Sequence, residues 1–109
     1  MADLTLAEQF GNSSTISSGI LTITLAEVGI DTPTPTTSQI IGALVLKRRS
    51  LMSDSSSVDP TIGCYIGEPS SGLTTRGDRQ QAENAFTASL FRDVASETVT
   101  ISDPDDIAV

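Results

Sequence analysis

Histidine and tryptophan are absent from this 109-residue chain, and cysteine, tyrosine and lysine occur once each, as Cys64, Tyr65 and Lys47. Histidine is the commonest general base and the commonest transition-metal ligand near neutral pH. Without it, acid–base or metal chemistry would fall to carboxylates, one thiol or a hydroxyl with no activator. The sequence also has no G-x-S-x-G, S-x-x-K, G-x-G-x-x-G or Walker-type loop. The expectation is a protein that is not an enzyme and holds no cofactor or metal.

Basic residues are scarce as well. Six Lys and Arg stand against 14 Asp and Glu, for a formal net charge of −8. Such a chain is repelled by phosphate backbones and anionic lipid, so neither nucleic acid nor membrane is an expected partner. Lys47-Arg48-Arg49 is the one basic cluster, too small a footprint for nucleic acid. No apolar run approaches the roughly 20 residues of a spanning helix; the longest, Ile40 to Leu46, includes Gly42. The N-terminal residues carry no basic n-region or apolar h-region, and a lone cysteine suits a reducing compartment. These features predict a soluble chain made in the cytoplasm.

What is present is hydroxyl: Ser and Thr supply 29 residues. Aromatics are limited to Phe10, Tyr65, Phe86 and Phe91. A core of Ile, Leu, Val and Ala has a modest margin, which burial against further copies would raise.

Residues 1–19 read as an N-terminal arm, 20–102 as a single globular domain and 103–109 as an acidic tail. Ile20 to Leu25 alternates as a half-buried strand, with Leu21, Ile23 and Leu25 on the inner face. Thr24 to Glu27 has capping-box spacing and would start a helical turn ended by Gly29. The tetrapeptide Thr-Leu-Ala-Glu also occurs at Thr5 to Glu8. Asp31 to Thr37, with two prolines, reads as a loop. Ser38 is a plausible N-cap for a helix running to Arg49, whose basic end complements the dipole; a buried strand over Ile40 to Leu46 competes.

Ser50 to Pro60 reads as a flexible polar loop, Thr61 to Ile66 as a strand, and Thr74 to Gln81 as a further polar stretch. Asn84 to Arg92 fits a strand better than a helix, and Thr98 to Ile101 is a last strand candidate. The fold class is therefore α+β or mostly β: a small single-domain antiparallel sheet, sandwich-like, with one helix packed on it.

Arg76-Gly77-Asp78 matches an integrin-binding tripeptide but reads more simply as a turn with a permissive glycine. Asp103, Asp105 and Asp106, like Asp54 and Asp59, read as solvated acids rather than a calcium loop. Cys64 reads as a small buried hydrophobe in a strand, not a nucleophile. Leu4, Leu6 and Phe10 form an apolar cluster suited to contact with another chain.

In composition the chain resembles small virion proteins of bacteriophages, such as capsid-decorating or tail components. It is thus expected to be a structural subunit repeated in a phage-like particle or filament, partnered by its own copies or other subunits. The alternative is a small acidic binding or regulatory module that docks on a basic protein.

Overall fold

The computed structural model describes residues 3–91, 93 and 103–107. The protein is a small α+β domain built from one main helix and short antiparallel strand pairs. In chain order these are α1 (Leu6–Phe10), β1 (Thr15–Ser17), β2 (Ile20–Thr22), α2 (Thr37–Leu51), β3 (Cys64–Ile66), β4 (Ser70–Arg76), β5 (Arg79–Ala85) and β6 (Ala88–Leu90). The strands divide into three two-stranded ribbons, β1–β2, β3–β6 and β4–β5, each antiparallel. The expected strand at Thr98 to Ile101 lies outside the described residues. Among the described residues no helix is long and apolar enough to cross a membrane.

The apolar run Ile40 to Leu46 is helical, inside α2. Its N-cap is Thr36, two residues earlier than Ser38, because Gln39 completes a reciprocal capping box: Thr36 Oγ1 accepts from Gln39 N at 3.1 Å, and Gln39 Oε1 accepts from Thr36 N at 2.8 Å. Arg48 and Arg49 occupy the last turn, where cations oppose the dipole. The helix is apolar around much of its circumference, yet no residue of it is fully buried, and Ile41 and Leu46 are 63% and 58% exposed.

The Thr-Leu-Ala-Glu repeat opens a helical turn at both places, but only the first copy forms a capping box. Thr5 Oγ1 accepts from Glu8 N and Glu8 Oε1 accepts from Thr5 N, starting α1. At the second copy a 3₁₀ turn, Leu25–Val28, follows Thr24 without a side-chain cap and ends at Gly29. Glu27 turns away instead, and its carboxylate accepts from Ser13 N at 2.8 Å. That carboxylate lies against Gly11, whose φ of +102° and lack of a Cβ allow the approach.

The strand expected over Ile20 to Leu25 stops at Thr22, and its residues are exposed rather than half-buried. Its partner is β1, joined through Ser18 and Gly19 with φ of 51° and 77°. Two positive φ values in a two-residue loop mark a type I′ turn, which Ser-Gly accommodates. The first nineteen residues therefore carry α1, docked on α2, and the first strand of a hairpin.

The buried apolar side chains among the described residues are Val28, Ile30, Met52, Ile62 and Ile66. Met52, 2% exposed, sits in the segment expected to be a flexible polar loop. That segment instead continues α2 to Leu51 and makes a 3₁₀ turn at Asp54–Ser56. There Ser56 is buried, with its hydroxyl 3.4 Å from the Met52 sulfur. A hydroxyl-rich sequence conceals this, because Ser56 and Met52 satisfy each other locally. The polar stretch Thr74 to Gln81 likewise proves to be the turn end of the β4–β5 hairpin, with Gly77 (φ +65°) at its tip.

With so few buried apolar side chains among the described residues, each carries weight. Replacing Met52 by Ala should lower stability by about 2–5 kcal/mol, against about 1 kcal/mol for Thr36→Ala. Urea denaturation followed by circular dichroism checks both, and equal effects would show that Met52 is not a core anchor.

Candidate functional site

The C-terminal turn of α2 and strand β3 organise the centre of the molecule. Arg48 donates from Nε and Nη2 to the Cys64 carbonyl, at 3.0 and 2.9 Å, and pairs through Nη2 with the Asp3 carboxylate. The other Asp3 oxygen accepts from Gly63 N at 3.1 Å. One residue along, Arg49 donates to the Gly67 carbonyl at 3.2 Å and to Glu68 at 2.6 Å. Ile66 N reaches the Met52 carbonyl at 3.0 Å. Two of the three residues of the basic cluster, Arg48 and Arg49, are therefore engaged within the fold, around β3 and the residue that follows it.

Burial alone would push the Asp3 carboxyl up, but hydrogen bonds from Gly63 N, Leu4 N and Arg48, with that cation's charge, bring it below its ordinary value. For Cys64 the balance is opposite. Burial raises the thiol and outweighs the nearby Arg48 cation, with Asp3 adding to the rise. Cys64 is half-buried rather than enclosed, so it is a wall residue and not a core one. A raised pKa leaves little thiolate at neutral pH, which makes it a poor nucleophile.

On this frame lies an apolar groove of about 490 Å³ between α1, α2 and the β3–β6 ribbon. Leu4, Leu6 and Phe10 form one wall, while Leu44, Val45 and Ile66 stand among the residues opposite. The three residues expected to form an interface thus converge on one surface, each half-buried. Arg48 and Asp3, already paired, supply the charge at this groove. Gln9 also lines it: this side chain is 8% exposed, and Nε2 donates to the Leu44 carbonyl at 3.1 Å. Its Oε1 is buried with no hydrogen-bond partner. An unpaired buried acceptor costs on the order of 1–3 kcal/mol.

A second, larger depression of about 920 Å³ opens between the Leu25–Val28 turn and the Gly42–Ala43 side of α2, and its rim carries Glu27, Asp31 and Lys47. Among the described residues no cluster of Cys, Asp and Glu could hold a metal ion. Asp103 and Asp105 are exposed, with the Asp103 carboxylate accepting from Asp105 N at 3.0 Å to cap the turn Pro104–Asp106.

Two hairpins stand out from this body. β1–β2 and β4–β5 each make their substantial contacts only between their own two strands. Every residue of β1 and β2 is exposed, with Ile16 at 64%, Ile20 at 65% and Leu21 at 43%. In β4–β5 only Thr74 and Gln81 are partly covered, and Leu73 is 72% exposed. Arg76 and Arg79 face each other across its tip, around Gly77 and Asp78. The turn reading of Arg-Gly-Asp is the one the backbone adopts. Sequence reading missed both hairpins, although Ser18-Gly19 and Gly77-Asp78 are recognisable two-residue turns.

Comparison with protein families, curated proteins and solved structures returns no match.

Arg48→Met leaves the Cys64 carbonyl and Asp3 without their shared donor and should cost about 2–3 kcal/mol, measurable by urea denaturation. Acid tests the same network. Asp3 titrates lower in the folded chain than in the unfolded one, so its contribution is present above the ordinary carboxylate range and is lost as pH falls below about 4. Thermal melts between pH 3 and 7 should show a shallower acid loss for Asp3→Asn than for the parent. Identical slopes would place the acid sensitivity elsewhere.

Proposed function

We propose that this protein is a structural subunit that works in multiple copies, as part of a particle, tail or filament. The observation that carries this reading is the β1–β2 hairpin. An isolated two-stranded hairpin is marginally stable at best in water. This one has strands of three residues, covers neither of its faces and exposes Ile16, Ile20 and Leu21. A neighbouring chain would both cover those side chains and hold the hairpin in place.

Three further features support it. Among the described residues few apolar side chains are buried, α2 leaves Ile41 and Leu46 in solvent, and an apolar groove remains open beside α1. Burying an Ile or Leu stabilises by about 1.5–3 kcal/mol per fully covered side chain. Repeated in every copy, such contacts offset the ordering of one chain against the next. A phage-like particle, in which such a subunit decorates a capsid or builds a tail, suits this size and composition.

The purified protein should show a weight-average mass in sedimentation that rises with concentration well beyond the 11.4 kDa chain. Because copies of net charge −8 repel one another, association should strengthen as added salt shortens the Debye length from about 30 Å at 0.01 M to about 8 Å at 0.15 M. Electron micrographs of the associated fraction should show rings, particles or filaments. A single species of chain mass at all concentrations and salt levels would rule this reading out.

A further inference from the structure

We propose that the β1–β2 hairpin of one copy docks in the apolar groove beside α1 of the next, joining copies head to tail. The inference rests on the multi-copy reading above and specifies the two surfaces that meet.

Charge restricts where a chain of net charge −8 can touch its own copy. From Gln9 to Ala26 the sequence has no ionisable side chain, and β1–β2 lies inside this stretch. The groove offers the matching condition, because Arg48 is already neutralised by Asp3. Contact between these two surfaces brings no unpaired acids together. The larger depression, rimmed by Glu27, Asp31 and Lys47, does not meet this condition.

Shape selects the same pairing. Register places Ile16 directly opposite Leu21, so both project from one face of the hairpin as an apolar ridge. A volume of about 490 Å³ is of the size that accepts drug-sized apolar groups, and so admits this pair of side chains. A ridge complements a groove and not another ridge, so the contact is heterologous. It leaves one free hairpin and one free groove at the ends of every open oligomer, so growth continues into a filament or closes into a ring.

The test uses two single-residue variants of the full chain. Ile16→Asp disables the ridge, and Ile16 is 64% exposed, so the fold does not depend on it. Ala88→Arg disables the groove from an exposed position on β6. Circular dichroism and thermal melting establish that both remain folded; Leu21→Asp, on the same face as Ile16 and 43% exposed, and Ala88→Gln serve as substitutes if either is not. In analytical ultracentrifugation each variant alone should remain at 11.4 kDa under conditions where the parent assembles. An equimolar mixture should form a species of twice that mass and stop there. The intact hairpin of Ala88→Arg fills the intact groove of Ile16→Asp, and both remaining surfaces are disabled. Monomeric variants whose mixture does not dimerise would overturn the head-to-tail geometry. Variants that assemble like the parent would overturn the proposed surfaces while leaving the multi-copy reading intact. A parent chain that is monomeric throughout would overturn both, and the groove would then be open to a different protein's apolar segment.

Discussion

The Arg48 guanidinium is the interaction on which the rest of the structure depends. It joins three stretches of chain that lie far apart in sequence: Asp3 near the N-terminus, the last turn of α2, and the Cys64 carbonyl at the start of β3. Asp3 extends the link to Gly63 N. Without this bridge β3 would have β6 on one side and little to satisfy its polar groups on the other. A planar fork with several donors suits the task, since two of its N–H groups meet a single carbonyl while one also serves the carboxylate. Arg49 repeats the device at Gly67 and Glu68, so consecutive residues of one helix hold both ends of a three-residue strand.

This arrangement explains what was legible in the sequence. Helix α2 could be read because cap, apolar run and basic end all agree, and its displacement by two residues follows from Gln39 pairing with Thr36 rather than from any error in period. The short strand ending at Ile66 was legible from β-branched and aromatic residues, whereas Asn84 to Arg92, which reads as one strand, is divided between the end of β5 and β6, in two different ribbons. Tyr65 and Phe91 stack at 5.8 Å on that ribbon, which gives the sparse aromatics a shared place. The role of Arg48 and Arg49 was not legible. A basic cluster at a helix end has a sufficient explanation in the dipole, and nothing in the spacing of Asp3, Arg48 and Cys64 announces that they meet.

The failures share a cause. The alternation of Ile20 to Leu25 predicts a half-buried strand, because alternation normally implies a covered face. Here the ridge of Ile16 and Leu21 exists, but no layer of the described residues covers it. Met52 was overlooked for the converse reason: it lies in a hydroxyl-rich segment, where composition suggests solvent, and yet it is among the most buried side chains described. The repeated Thr-Leu-Ala-Glu makes the point at small scale. Both copies start a helical turn, but the second gives its glutamate to Ser13, because a tertiary partner displaces the local one. Local rules held where the domain covers its own elements and lapsed where it leaves them bare.

That distribution of bare surface bears on function. Apolar atoms on a protein surface are ordinary when scattered. In this chain they are grouped, as a ridge on an otherwise unsupported hairpin and as a groove between α1 and α2. Both lie where net negative charge is locally absent. A protein that acted alone would gain stability by folding the ridge onto its own groove or by replacing Ile16, Ile20 and Leu21 with polar residues. An uncovered ridge and an uncovered groove on one chain cost stability in the monomer, a cost that the proposed contact between copies would offset. In the proposed assembly, repulsion between acidic bodies would oppose each apolar contact, so that the joined state would be favoured only where many contacts act together. This is the energetic pattern suited to a subunit that stays dispersed when dilute and assembles as copies accumulate.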